Sequence, residues 1–136
     1  TLLFARFGWI DSNGNVSPFA KQPVETPVPS ITPQEAADRT EANQALLIDV
    51  REPDEWRNGV AADARLLPLS DFRGGQFLWK PFLAEAGERE LCLYCGSGAR
   101  ASIVARQLIA QGHRVSCVGG FSDWCAAQQK VRSALA

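Results

Sequence analysis

Residues 90–112 read ELCLYCGSGARASIVARQLIAQG, and the fold turns on how this stretch is divided. Glu90-Leu91-Cys92-Leu93-Tyr94 is an apolar run of strand length. Ala101, Val104, Ala105, Leu108 and Ile109 recur at i, i+3, i+4, i+7 and i+8. That spacing puts one apolar face on a helix from near Ala99 to near Gly112. Between the two stands Cys95-Gly96-Ser97-Gly98, a tight strand-to-helix turn with two glycines.

The alternation continues outward. Thr32-Pro33-Gln34-Glu35 is a capping box with proline at the first helical position, and predicts a helix to about Asn43. Leu46 to Val50 reads as a buried strand, Pro53 to Asn58 as a short helix stopped by Gly59, and Arg65 to Leu67 as a weaker strand. Residues 70–86 predict helix, interrupted at Gly74-Gly75 and at Pro81. Arg114 to Val118 is a further strand, and Gly119-Gly120 turns the chain into a last helix near Ser122. Together these predict an α/β domain over residues 32–136, with a mainly parallel sheet and helices on both faces.

Residues 1–31 read as an N-terminal arm. It carries Phe4, Phe7, Trp9 and Ile10, a turn signal at Asp11 to Asn15, and a connector containing Pro18, Pro23, Pro27 and Pro29. The Asp11-x-Asn13-x-Asn15 spacing does not make a calcium loop, because Val16 stands where the turn needs glycine and Gln22 where a glutamate should close the site. The arm is expected to be dispensable for the fold of residues 32–136.

Composition narrows the function classes. The chain has 136 residues and a formal net charge of −1, so it offers one domain and no field that would draw in nucleic acid or an anionic membrane. Its apolar runs are too short to span a bilayer. Four cysteines do not make a disulfide scaffold, and a reducing, cytoplasmic setting is expected. A periplasmic setting stays open, because the chain starts at Thr1 rather than at methionine. The single histidine, His113, follows Gly112 in a turn and is expected at the surface. No Cys–His hydrolase or histidine-based metal site can be built around it, and no metal or cofactor is expected. Trp56, Trp79 and Trp124 read as packing residues.

Chemistry concentrates at Cys95. In parallel sheets ligands gather at the carboxyl ends of strands, where the chain turns into a helix. Cys95 occupies such a place. Gly96, Ser97, Gly98 and Ala99 bring backbone N–H groups and a helix start toward one spot, and Arg100 adds a permanent cation with a fork of donors. Every part of the loop attracts an anion, so the thiolate of Cys95 should be favoured as a nucleophile. Cys92-Leu93-Tyr94-Cys95 has the spelling of a redox dithiol. In a strand, however, residues three apart face opposite ways, and here the helix starts after both cysteines. Cys117 and Cys125 read as core residues.

Three stretches together carry a family resemblance. Cys95-Gly96-Ser97-Gly98-Ala99-Arg100 resembles the active-site loop of rhodanese-like domains. Leu47-Ile48-Asp49-Val50-Arg51-Glu52-Pro53-Asp54-Glu55-Trp56 is similar to that family's first long motif, and Val118-Gly119-Gly120-Phe121-Ser122-Asp123-Trp124 to its closing one. Where the family continues with Gly-His-Ile-Pro-Gly-Ala, this chain has Gly59-Val60-Ala61-Ala62-Asp63-Ala64. The resemblance implies a mainly parallel five-stranded sheet, and it implies sulfurtransfer. A small anionic donor such as thiosulfate would give a sulfane sulfur to Cys95, which would hold it as a persulfide. A nucleophilic acceptor, with a protein among the candidates, would then take it. The resemblance also implies that Arg100 clamps the anion and that Asp49 and Arg51 form a supporting pair. The alternative is a non-catalytic protein-binding module on the same fold. The loop is also similar to that of the cell-cycle dual-specificity phosphatases, which place five residues between cysteine and arginine. With four here, and no carboxylate in the loop, phosphatase activity is not expected.

Overall fold

A computed structural model of the chain describes residues 27–134; the aromatic cluster of the arm and its turn lie outside the described residues. Strands β1 (Ala45–Asp49), β3 (Arg65–Leu66), β4 (Glu90–Cys95) and β5 (Val115–Gly120) form a parallel sheet in the order β3-β1-β4-β5. Val60–Ala61 (β2) and Val131–Arg132 (β6) make a separate antiparallel ribbon.

Period-two alternation assigns the two faces. Leu46, Ile48, Leu91, Leu93 and Cys95 point to one side. They pack there under α2 (Leu69–Arg73), α3 (Trp79–Ala86) and α4 (Ala99–Ala110) through Leu69, Phe72, Trp79, Phe82, Ala101, Val104, Ala105 and Leu108. Ala45, Leu47, Cys92 and Tyr94 point to the other side, against Ala36 of α1 (Pro33–Glu41) and Trp124 of α5 (Phe121–Ala126). With helices on both faces, every residue of β1 is buried, as a parallel strand requires. Thr32 caps α1 as the sequence predicts, with both hydrogen bonds of the capping box formed.

Three expectations are corrected. The sheet has four strands, not five. Beside β5 the chain makes one parallel bridge, Ser30 with Cys117. There Cys117 N–H donates to Pro29 O at 2.8 Å and Ile31 N–H to Cys117 O at 3.0 Å. Prolines at 27, 29 and 33 lack the N–H groups that a longer ladder needs. Pro81 does not break α3, because it is the third residue of that helix, where a missing N–H costs no helical bond. The break between α2 and α3 falls at Gly74 to Leu78, and the Asp71 carboxylate there accepts the N–H groups of Phe77, Leu78 and Trp79 at 2.9 to 3.0 Å. Gly119-Gly120 belongs to β5 rather than to a turn after it.

Candidate active site

Cys95 is the last residue of β4, and Gly98, with φ 98°, is the N-cap of the twelve-residue α4. A left-handed φ at that point suits glycine and swings the 95–98 turn back over the strand end. As a result Gly98 N–H donates to Cys95 Sγ at 2.9 Å. The first bond at the start of α4 is Ser102 N–H to Gly98 O at 3.1 Å, so the N–H groups of Ala99, Arg100 and Ala101 have no intrahelical acceptor and add positive potential at the same end. Cys95 itself has 0% exposure, while Ser97 and Ala99 are exposed. The sulfur lies under its own loop.

The second wall of the loop comes from β5. A Cβ on Gly120 would overlap the carbonyl oxygen of Gly96, and one on Gly119, φ 88°, would stand 2.7 Å from Asp123 Oδ2. The closing glycine pair lets β5 approach the loop without side chains, and Gly120 N–H donates to Asp123 Oδ2 at 2.9 Å.

Arg100 is not an open clamp. Its guanidinium meets the Glu55 carboxylate with both forks, Nη1 to Oε1 at 2.6 Å and Nη2 to Oε2 at 2.8 Å. Glu55 Oε1 also accepts Glu52 N–H at 3.0 Å. Arg100 in particular, with the Glu52 amide, holds the Glu55 carboxyl down to about 2, and the same bonds push the Arg100 guanidinium up. The pair borders the loop: a Cβ on Gly96 would lie 3.0 Å from Arg100 Nη2 and 3.6 Å from Glu55 Oε2.

Asp49 and Arg51 form a buried pair. Arg51 Nη2 donates to Asp49 Oδ2 at 2.8 Å and to Gly59 O at 2.8 Å, with Nη1 to Glu55 O at 3.3 Å. The guanidinium lies 4.3 Å from the centre of the Phe121 ring. Arg51 thus joins the end of β1 to the 3-10 helix (Pro53–Asn58) that presents Glu55. Gly59 to Ala64, where the sequence departs from the family pattern, is held by β2 and by Ala61 N–H donating to the Tyr94 hydroxyl at 2.9 Å.

A family model described as Rhodanese-like domain matches residues 32–127. The chain belongs to the rhodanese-like domain family. It is 33% identical over 103 residues to a probable adenylyltransferase/sulfurtransferase, MoeZ, of Mycobacterium tuberculosis, a match covering 74% of this chain and 25% of the relative. The chain thus matches about a quarter of that curated protein. The reduced CoADR-RHD of Bacillus anthracis superposes with TM-score 0.63 at 27% identity, over 77% of this chain and 18% of the other. The polysulfide-sulfur transferase homodimer of Wolinella succinogenes shares the fold, with TM-score 0.61 at 24% identity over 79% and 81% of the two chains.

The remaining candidates of this rhodanese-like domain fall outside the loop. Cys92 is buried on the opposite sheet face from Cys95, and its burial pushes the thiol up to about 12, so the dithiol reading has no geometry behind it. Cys117 is buried, and burial raises its thiol too. Cys125, expected in the core, is exposed on α5. His113 is half-buried. Trp79 and Trp124 are buried, and half-buried Trp56 has an indole N–H without a partner. Among the described residues no group of three His, Cys, Asp or Glu side chains is placed to hold a metal, and no helix is long and apolar enough to cross a membrane. The Glu55–Arg100 pair was missed in the sequence because 45 residues separate its members. A glutamate in the same motif as Asp49 and Arg51 was the available signal.

Proposed function

We propose that this domain is a sulfurtransferase that works through a persulfide on Cys95. The sulfur of Cys95 attacks the outer sulfur of a sulfane donor, of which thiosulfate is the simplest. A bond forms from Sγ to that sulfur, the donor's S–S bond breaks, and sulfite or a thiolate leaves with the electron pair. A nucleophilic acceptor, a small molecule or a protein thiol, then attacks the outer sulfur and returns Cys95. The loop Gly96, Ser97, Gly98, Ala99 and Arg100 surrounds the sulfur, and Asp49 with Arg51 holds the framework behind it. A cytoplasmic location and a soluble donor fit the free cysteines, and no cofactor is needed for the two displacements.

The observation that carries this reading is the Gly98 N–H directed at Cys95 Sγ at 2.9 Å, at the start of a helix whose first amides have no intrahelical acceptor. Transfer requires that the 96–98 loop, whose residues are exposed or half-buried, admit the donor to the sulfur beneath it. The full burial of Cys95 is also the one observation that favours a non-catalytic binding module. Thiosulfate-to-cyanide turnover decides between them: thiocyanate formed by the wild type and absent in Cys95→Ser supports sulfurtransfer. Neither turnover nor a sulfur adduct with several donors leaves the binding module.

A further inference from the structure

We infer, resting on the Cys95 reading above, that Glu55 sets donor specificity by neutralising Arg100, so that the site takes sulfur from singly charged persulfide or polysulfide donors in preference to the thiosulfate dianion. Arg100 is the cation that begins α4 beside the Cys95 loop. Both of its forks are engaged by one carboxylate, at 2.6 and 2.8 Å. The end-on edge of the guanidinium is filled, and its charge is already met by the Glu55 carboxylate before a sulfonate arrives. The other charges of the segment do not make up the deficit. Arg51 is bound to Asp49 and Arg57 lies beside Asp54 at 3.5 Å, while Glu52 adds a further carboxylate held by Ser70. The groups left to face an incoming donor are the loop and helix amides, and the Glu52 carboxylate beside them repels a dianion about twice as strongly as a monoanion. Gly96 matters here as well. A side chain at that position would press on Arg100 Nη2 at 3.0 Å, so glycine keeps the pair closed against the loop.

The chemistry is the same displacement with a different leaving group. Cys95 sulfur attacks the terminal sulfur of R–S–SH, the new S–S bond forms on Cys95, and the old one breaks to release R–S⁻, with the proton passing to solvent. No oxidant or reductant enters.

Glu55→Gln isolates the charge. The amide oxygen can still accept the Glu52 N–H, but the NH2 group then faces Arg100 Nη2, donor against donor, and the fork is released toward the loop. Loading of Cys95 is followed by intact mass, with cysteine persulfide and thiosulfate as the two probes. Wild type should load faster from cysteine persulfide. Glu55→Gln should load from thiosulfate about tenfold faster than wild type or more, the scale of one charge-assisted hydrogen bond. That gain should vanish in Glu55→Gln/Arg100→Ala. Glu55→Ala, which removes the carboxylate without adding a donor, repeats the test should Glu55→Gln not fold. Loading from thiosulfate in both Glu55 variants that is no faster than wild type, with persulfide loading retained, overturns the inference and leaves the Cys95 reading standing. Wild type that takes sulfur from neither probe overturns both.

Discussion

Gly120 at the end of β5 lies against the backbone of Gly96 so closely that a Cβ on Gly120 would overlap the Gly96 carbonyl oxygen. The obstacle is backbone, which cannot rotate aside as a side chain would. Gly120→Ala is therefore expected to force β5 and the 96–98 loop apart, at a cost of about 3 kcal/mol, the upper range for overpacking. Urea unfolding measures it. A midpoint equal to wild type would mean that the two segments are not in contact.

The Asp49–Arg51 pair predicts a loss of stability. Arg51 is 5% exposed and Asp49 0%. Removing the guanidinium in Arg51→Ala leaves a buried carboxylate and frees the Glu55 and Gly59 carbonyls that the arginine holds. Denaturant unfolding should show a loss of about 3–5 kcal/mol, the range for a broken buried pair. A loss below about 1 kcal/mol, the scale of an exposed pair, would show that water takes the arginine's place.

Of these two features the sequence made the local Asp49–Arg51 pair legible and the Gly120–Gly96 contact not. The 90–112 unit could be divided because its signals are local: a short apolar run, two glycines, then apolar residues on one helical face. The capping box at Thr32 lies within four residues and formed as read. Contacts that join distant segments were not legible. Glu55 and Arg100 meet only after the 3-10 helix and α4 are placed at the same end of the sheet. Gly119-Gly120 looked like a turn because glycine is scarce in strands, yet here the absent side chains let β5 reach the loop. Pro81 looked like a break because its position in the first turn of α3 depends on Asp71 starting that helix at Trp79. The bridge at Ser30 was not legible, because the prolines around it read as an extended connector.

Glu55 predicts an acid limb in stability. Its carboxyl is held at about 2 against an ordinary value of 4.5. The folded state therefore binds this proton less readily than the unfolded one. The resulting stability is present above about pH 4.5 and is lost as pH falls toward 2. The carboxylate side chain is 36% exposed, so solvent screens the pair and the contribution is modest. Unfolding free energy followed from pH 5 to pH 2 should fall less steeply in Glu55→Gln than in wild type. Parallel curves would mean that the pair adds nothing to folding.

The N-terminal boundary makes a further prediction. Val28 and Ile31 pack on the two sheet faces, and Pro29 and Ile31 hydrogen-bond to Cys117. We propose that the arm before Pro27 is dispensable for folding and that 28–31 is not. A chain starting at Pro27 should unfold at the wild-type urea midpoint. One starting at Thr32 should lose about 2–3 kcal/mol, from two hydrogen bonds and two partly buried apolar side chains. Equal midpoints for the two truncations would place the boundary at Thr32.

Every role proposed for the loop depends on Cys95 carrying transferable sulfur, and intact-mass measurement with peptide mapping reads that out. Wild-type protein is incubated with thiosulfate and, separately, with cysteine persulfide, freed of donor, and measured before and after cyanide. A persulfide on Cys95 predicts a gain of about 32 Da, one sulfur atom, located on the peptide containing Cys95, removed by cyanide and absent in Cys95→Ser. A gain that persists in Cys95→Ser, or that maps to exposed Cys125, would show that the sulfur is carried elsewhere.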